Sequence, residues 1–294
     1  MPPIADDHPL RRALPLFLLA GFCLASLDAT GKYLVRDHSL LLVVWARYAG
    51  QMLVVTPWAR HRAGPGFWRT RRLRLHLVRS ACLVAATICF FGGLRYLPLA
   101  EGSAITFLAP IFIVILSQPM LGERPTRARW TASIVGFVGI LIMLRPGSAV
   151  FHPAVLLLIG AALTNALYQI LTRKLVGEDP RTMLFYSALV GTVAMTLALP
   201  WGFTGPALTP HTGVLFLLLG LLAGLGHWSV IGAFLRAPAS MLTPYTYLQI
   251  LWSTAYGYLV FDHMPDGWSG VGMGVIVGSG LLLALHERRW GRRG

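Results

Sequence analysis

Long apolar segments, separated by short arginine-bearing stretches, constrain this sequence more than any other feature. A helix needs about 20 predominantly apolar residues to cross the hydrocarbon core of a bilayer. With 55% hydrophobic and 12% charged residues, the chain has more apolar surface than one soluble core of 294 residues could cover. The sequence therefore predicts an all-α integral membrane protein with ten transmembrane helices, over residues 12–35, 40–58, 76–96, 100–121, 130–145, 153–172, 182–201, 212–235, 240–261 and 267–286.

Two stretches of the chain, 93–144 and 232–283, follow one pattern at an offset of 139 residues. Each contains a small or polar turn, a membrane-length apolar segment, an acidic residue beside a proline-containing turn (Glu123 and Asp262), and an apolar segment that carries glycine. Internal repeats of this kind are typical of secondary transporters, which bind substrate where the repeats meet. We therefore predict two five-helix halves, residues 1–148 and 149–294, around a central cavity.

The basic residues indicate how the chain is oriented. The net charge is +14, and nearly all of the basic residues are arginines that cluster between the apolar segments, which is typical of membrane topology rather than of a nucleic-acid groove. If the N-terminus is cytoplasmic, 19 basic residues fall in the inner segments and 3 in the outer ones. This bias predicts a multi-pass protein of the inner (plasma) membrane with both termini cytoplasmic. Five helices per half then make the two repeats inverted.

Three sequence motifs carry a family resemblance: LPLAEGSAITFLAPIF (97–112) and LGERPT (121–126) in the first half, and RAPASMLTPYTYLQ (236–249) in the second. With these motifs and its ten spans, the whole chain resembles the EamA family of the drug/metabolite transporter superfamily and, within it, the YddG-like amino-acid exporters. The resemblance implies a basket of helices around a central cavity and the export of small metabolites, often amino acids. Gln249 stands where family members often have a second proline to match Pro110, so the resemblance does not imply symmetric bending of the fourth and ninth helices.

Three charged residues lie well inside the first two predicted helices, away from their ends. Asp28 and Lys32 are four residues apart on one helical face. Arg47 lies on the next helix, and both it and Asp28 are roughly 10 Å deep at ~1.5 Å per residue, so an ion pair between them is geometrically feasible. Ionisable groups cost ~3 kcal/mol or more in a bilayer and need a partner or a water-filled cavity. Two interpretations stay open: the trio recognises a zwitterion or carries a proton, or it is a structural pair that fixes the first two helices.

The ninth predicted helix carries a polar and aromatic stripe at positions i, i+4, i+7 and i+11, formed by Tyr245, Gln249, Trp252 and Tyr256. The repeat offset places the equivalent face of the fourth helix at Thr106, Pro110, Ile113 and Ser117. An amide would be unsatisfied in hydrocarbon, so we expect the stripe to face protein or a cavity. We predict that Thr106, Tyr245, Gln249 and Trp252 bind substrate, with plain helix packing as the alternative. Pro110 removes a backbone hydrogen bond and is predicted to act as a hinge.

Two further helices offer candidate substrate contacts. Asn165 and Tyr168 share one face of the sixth helix, and a loose alignment of the repeats sets Asn165 opposite Asp28. His227 and Trp228 lie in the middle of the eighth helix. We predict that all four contact the substrate, and hydrogen bonding or packing that merely holds the bundle is the alternative.

Motifs of other functional classes are absent from the sequence. It contains no GxxxxGK[ST], HExxH or CxxC, so we predict no catalytic residue, metal or cofactor. The function predicted is a secondary transporter that exports amino acids, with aromatic ones favoured, and its partners are the substrate and the lipid bilayer, without nucleic acid. The alternatives are a drug or nucleotide-sugar transporter, an intramembrane enzyme or a non-transporting membrane scaffold. A glycine ridge on the tenth helix (Gly270, Gly274, Gly278) is expected to pack within a monomer, and a homodimer contact is the alternative.

Overall fold

The computed structural model describes residues 8–122, 125–145, 152–202, 205–234, 236 and 248–290. Within these ranges the chain is helical and has no strand. The helices are α1 (His8–Asp37), α2 (Leu40–Ala63), α3 (Leu73–Leu94), α4 (Leu99–Thr106), α5 (Ala109–Leu121), α6 (Arg127–Leu144), α7 (Val155–Lys174), α8 (Pro180–Ala198), α9 (Pro210–Phe234), α10 (Leu248–Phe261) and α11 (Gly267–Trp290), with a 3-10 turn over Leu199–Trp201.

Eight segments of the described chain are long and apolar enough to cross a membrane, and one of them comprises α4 and α5 together, as Leu99–Leu121. A shorter apolar segment, Gly267–Leu283, begins α11. These helices support a multi-pass membrane protein. Of the ninth predicted span, 248–261 is helical and 240–247 lies outside the described residues, so the number ten stays a prediction.

The fourth predicted span is interrupted near its middle. Phe107 donates to Ala104 O (3.1 Å) in a tight last turn of α4, and α5 begins at Ala109. Pro110 lies in the first turn of α5. The first N–H groups of a helix have no intrahelical partner, so a proline at this position costs the helix no hydrogen bond. The sequence predicted bending at Pro110, and the structure shows a two-residue interruption of the helix at Phe107 and Leu108, just before Pro110. A hinge motion at this break stays a prediction.

The contacts between helices are the same for both predicted halves. If each helix is replaced by its equivalent in the other half, every contact named here becomes another contact that the structure also has. α1 packs on α9 and α10, and in the other half α7 packs on α3 and on α4 with α5. α2 packs on α8, and α6 packs on α11, so these two pairs map onto themselves. This pattern of contacts is the one that a two-fold arrangement of five-helix repeats would produce, and it supports the predicted repeat.

Glycines set the closest helix crossings. A methyl group added to Gly220 of α9 would lie 2.4 Å from the Cα atom of Gly50 in α2. On α11 it is Gly272 that meets α6, because a methyl group there would lie 2.5 Å from the carbonyl oxygen of Gly139. The ridge of Gly270, Gly274 and Gly278 does not pack within the described part of the chain, since a methyl group at each would meet nothing within 4 Å. Among the described residues it is therefore Gly272, on the other side of the helix, and not this ridge that makes the close contact of α11; internal packing of the ridge stays a prediction.

The bundle has two ends, the N-terminal face and the distal face. The N-terminal face is the end where α1 and α3 begin and where α2 and α7 finish. The distal face is the end where α1 and α3 finish and where α2 and α7 begin. At the N-terminal face the α2–α3 loop lies against α8, since Thr182 donates to Phe67 O (2.6 Å) and Tyr186 donates to Trp68 O (2.7 Å).

Candidate functional site: two cavities with buried charges

A polar cavity of about 190 Å³ lies inside the bundle, and we call it the central cavity. Five residues that the sequence singled out meet there, and they come from α1, α2, α4, α7 and α10. The lining residues are Asp28, Arg47, Ala86, Thr87, Phe90, Phe91, Thr106, Ala161, Asn165 and Gln249. Asp28 is nine residues from the end of α1 and Arg47 is seven residues from the start of α2, so the cavity lies roughly 10 to 14 Å below the distal face at ~1.5 Å per residue.

The carboxylate of Asp28 is held by a neutral partner from the other half of the chain. Gln249 donates its amide to Asp28 Oδ2 at 3.2 Å, which joins α10 to α1. Asp28 is 9% exposed, so little of its charge is reached by solvent. A carboxylate can accept about four hydrogen bonds, so the single hydrogen bond from Gln249 leaves most of this capacity unused.

The guanidinium of Arg47 is held on the side of α3. It donates to Thr87 Oγ1 at 2.9 Å and lies over the ring of Tyr48, 4.7 Å from its centroid. Thr87 is in turn fixed by its bond to Leu83 O (2.9 Å). The ion pair with Asp28 that the sequence suggested does not form among the described residues, because each charge is held by a neutral side chain on a different helix. Opposite charges thus line one cavity without neutralising each other directly.

Lys32 does not line the central cavity, although it shares a helical face with Asp28. Its Nζ donates to Leu94 O (2.6 Å) and Leu97 O (2.5 Å), where α3 ends and the chain turns into α4. The last carbonyl groups of a helix have no intrahelical partner and form the negative end of the helix dipole, so a cation is favoured there. Lys32 therefore ties α1 to the end of α3 near the distal face.

A second, larger cavity of about 680 Å³ lies toward the N-terminal face, and we call it the second cavity. Asn165 lines both cavities, which makes them neighbours. Two other predicted site residues, Tyr168 and His227, line the second cavity. The lining residues are Leu24, Arg79, Asn165, Tyr168, Gln169, Thr172, Pro180, Met183, Leu184, His227 and Val230. Pro180 is the first residue of α8, so the cavity reaches the end of the bundle.

Arg79 is a buried residue of the second cavity that the sequence analysis did not select. It is 3% exposed and joins α3 to α7 and α8. Its guanidinium donates to the Thr172 hydroxyl (2.7 Å), the Tyr168 hydroxyl (2.8 Å), the Ser187 hydroxyl (2.9 Å) and Met183 O (3.1 Å). An arginine inside a predicted span was the signal available for it, because such a residue needs a partner or a cavity.

Two predicted substrate contacts, Trp228 and Trp252, line neither cavity in the described structure. Trp228 lines a different pocket, beside Trp58 and Asp179, because adjacent residues on a helix point about 100° apart. Trp252 packs edge-on against Phe22 of α1, with ring centroids 5.4 Å apart. Tyr245 lies outside the described residues.

Two polar contacts join helices near the distal face. His263 Nε2 lies 3.3 Å from Glu101 Oε1, which links the α10–α11 loop to α4. Arg145 at the end of α6 pairs with Asp266, which caps α11 by accepting the Ser269 N–H (2.8 Å). The pKa of Asp266 is lowered from its ordinary value, chiefly by that backbone hydrogen bond and in smaller part by Arg145.

Membrane-length helices that enclose buried, hydrogen-bonded charges define a multi-pass membrane protein with a polar interior. Residues 11–145 and 152–285 match the EamA-like transporter family, and the chain belongs to that family. This confirms the family that the sequence motifs identified. The YddG-like subtype stays a prediction.

Relatives along the whole chain are named as transporters. The riboflavin transporter of Vibrio cholerae is 31% identical and the match covers 97% of each chain. The S-adenosylmethionine uptake transporter of Rickettsia prowazekii is 30% identical, over 93% of this chain and 92% of that protein. A solved crystal structure of a protein with 19% identity superposes with a TM-score of 0.67, over 97% of this chain and 99% of that one, which shows a shared fold. These names support a transporter role.

Proposed function

We propose that this protein is a secondary transporter of small organic solutes that carry an α-amino-acid group. The observation that carries the proposal is that Asp28 and Arg47 line one buried cavity without pairing with each other. A zwitterion would supply both missing counter-charges at once, its ammonium to Asp28 and its carboxylate to Arg47. A neutral solute would leave both charges uncompensated.

The hydrogen-bonding groups of the central cavity suit the same head group. An ammonium has three N–H donors, and Asp28 together with the carbonyl oxygen of the Gln249 amide would accept them. A carboxylate accepts up to four hydrogen bonds, which the remaining N–H groups of Arg47 and the amide of Asn165 would donate. The amide side chains thus extend the two charged sites into a complete shell.

The volumes favour a solute larger than its head group. A cavity of about 190 Å³ is below the range of about 300–1,000 Å³ that is common for small-molecule sites, so the central cavity suits a head group alone. The second cavity, of about 680 Å³ and sharing Asn165, would hold the remainder of the molecule. Its leucine, methionine and tyrosine side chains suit an apolar or aromatic body.

Transport would follow the alternating access that inverted repeats make available. The exchange of contacts between the two predicted halves supports two bundles that can rock around a site between them. The sequence has no nucleotide-binding GxxxxGK[ST] motif, so a solute or ion gradient would drive the cycle. The proposed location is the inner membrane, with the N-terminal face toward the cytoplasm, in keeping with the basic residues around it.

Export of free amino acids, which the sequence resemblance implied, gains no support from the named relatives. Two of them are named for riboflavin and for S-adenosylmethionine uptake. An α-amino-acid group is part of S-adenosylmethionine as well as of free amino acids, so the head group is the shared chemistry. The site residues proposed for it are Asp28, Arg47, Thr106, Asn165 and Gln249.

The proposal is tested with the full chain reconstituted in proteoliposomes. Uptake and efflux of radiolabelled S-adenosylmethionine, phenylalanine, riboflavin and a nucleotide sugar are measured separately, which resolves both substrate class and direction. We expect saturable flux of at least one of the two amino-acid-bearing solutes. Flux of riboflavin or the nucleotide sugar alone, or of none of the four, would contradict the proposal. Mass spectrometry of the recovered solute distinguishes transport from an intramembrane reaction, because transport leaves the solute unchanged.

A further inference from the structure

The second cavity contains a buried cation that the proposed head-group site does not use. Arg79 is 3% exposed and lines the cavity, and its four hydrogen-bond partners are all neutral. Among the described residues that line the cavity there is no aspartate or glutamate. A buried charge is retained when it is paired or hydrogen-bonded, and here the hydrogen bonds are present while the counter-charge is not.

The hydrogen bonds of Arg79 fix its position and leave donors toward the cavity. Its bonds to Thr172, Ser187, Met183 and Tyr168 use four of the five N–H groups of a guanidinium, and no described residue accepts the remaining N–H of Nη2. The Tyr168 hydroxyl accepts from Arg79, so its own hydrogen is free to be donated to a ligand. These two donors lie side by side in one cavity, as a carboxylate or phosphate requires.

Among the neighbouring groups of the cavity, the amide of Gln169 suits an anion and His227 does not add a donor. His227 donates from Nδ1 to Ala223 O at 2.8 Å, so Nε2 of the neutral ring is a hydrogen-bond acceptor. Gln169 contributes a neutral amide that is exposed within the described structure. The cavity reaches the N-terminal face, so an anion would meet Arg79 before it meets the central cavity.

We propose that Arg79 and Tyr168 form a second anion-binding site, which receives a carboxylate or phosphate group of a solute in the second cavity. Its role in transport rests on the proposed function. In that role the anionic group of the solute binds first at Arg79, then passes Asn165, and then binds at Arg47. The binding itself is independent of transport. It can therefore be tested without knowing the transported solute.

The test compares two probes of the same shape, benzoate and its neutral counterpart benzamide. Both are small against a cavity of about 680 Å³. Their binding to the full chain in nanodiscs is measured by equilibrium dialysis, with empty nanodiscs subtracted to remove partitioning into lipid. We expect benzoate to bind wild type at least ~10-fold more tightly than benzamide, a difference of about 1.4 kcal/mol. Equal binding of the two probes would overturn the proposal.

Variants locate the anion site. Arg79→Gln should remove most of the preference for benzoate, while Arg79→Lys should keep part of it because it keeps the charge. Arg36→Gln should keep the whole preference, since Arg36 lines neither cavity. Retention of the whole preference in a folded Arg79→Gln variant would overturn the proposal.

A second variant covers the case in which Arg79→Gln does not fold. Gln169→Glu is isosteric, lies on the cavity wall and supplies a carboxylate that competes for the cation and repels an anion. It should weaken benzoate binding about 10-fold and leave benzamide binding unchanged. An unchanged benzoate affinity would count against the site. The binding assay is separate from the flux assay, so the two proposals can fail independently. Transport without a preference for benzoate would refute this site alone. A preference for benzoate without transport would refute the proposed function alone.

Discussion

Neutralising Arg47 is the sharpest probe of the proposed head-group site. Its guanidinium would make a charge-assisted hydrogen bond to the carboxylate of the solute, and bonds of this kind contribute ~1.5–3 kcal/mol. At about 1.4 kcal/mol per factor of ten, Arg47→Gln should raise the KM for an amino-acid-bearing solute by ~10- to 150-fold. The glutamine side chain keeps a hydrogen-bond donor near Thr87, so the bond that now holds Arg47 to α3 has a replacement.

The methyl ester of the same solute separates recognition from a structural role. It has the same ammonium group and body but no negative charge, so it gains little from Arg47 in wild type. Flux of both forms is measured in proteoliposomes of wild type and Arg47→Gln. We expect the acid to lose ~10- to 150-fold and the ester to change by less than ~3-fold. An equal loss for acid and ester would refute the assignment, because it would mean that Arg47 holds the fold rather than the carboxylate.

Arg36→Gln is the matched control for this experiment. Arg36 is exposed near the distal face and lies over the ring of Phe261 at 4.6 Å, away from the lining of both cavities. The same loss of one positive charge there should leave the ratio of acid to ester flux unchanged. A change in that ratio for Arg36→Gln would indicate that overall charge, rather than a specific site, sets the preference.

Four further variants test the fold by melting temperature, which is measured by tryptophan fluorescence in detergent. Gly220→Ala should destabilise the chain by ~3 kcal/mol or more, because the new methyl group would meet the backbone of Gly50 at 2.4 Å, while Gly213→Ala on the same helix meets nothing and should stabilise slightly or not at all. Lys32→Met should cost ~1.5–3 kcal/mol through its lost bonds to the two carbonyl groups at the end of α3, and an unchanged melting temperature would show that these bonds contribute nothing. Asp266 has a lowered pKa, so its contribution is complete above its ordinary value of 3.8 and is lost as the pH falls through the lowered value; the melting temperature of wild type should therefore fall below about pH 4, and Asp266→Asn should flatten that fall.

The sequence was sufficient to select five of the residues that line the central cavity, although it also grouped Lys32 with them. Asp28 and Arg47 were placed at equal depth by counting residues from a short hairpin, and helical rise is regular enough for that count to succeed. Asn165 and Gln249 were selected as polar groups within apolar spans, which face inward because hydrocarbon offers them no partner. Thr106 was selected through the repeat offset from Tyr245. The structure brings all five to the central cavity. That they bind substrate stays a prediction.

What the sequence could not supply is the direction of each side chain around its helix. His227 lines the second cavity and Trp228, the next residue, does not, because one residue turns a helix by about 100°. Trp252 is three residues from Gln249, yet it packs against α1 outside the central cavity. Arg79 lies three residues after the start of the third predicted span, and only the positions of α7 and α8 reveal its burial.

The two halves of the chain contribute different chemistry to the cavities. Asp28, Arg47 and Arg79 all belong to the first half, while the second half supplies the amides of Asn165, Gln169 and Gln249. If the repeats arose from one ancestor, a symmetric site would have offered equivalent groups from both sides, and a zwitterion could then bind in two opposite orientations. Under the proposed function, confining the charges to one half would remove that degeneracy: the carboxylate would be drawn to Arg47 and the ammonium to Asp28, while the amides would complete the hydrogen bonds without adding a competing charge. The asymmetry would then fix the orientation of a solute between the two predicted halves.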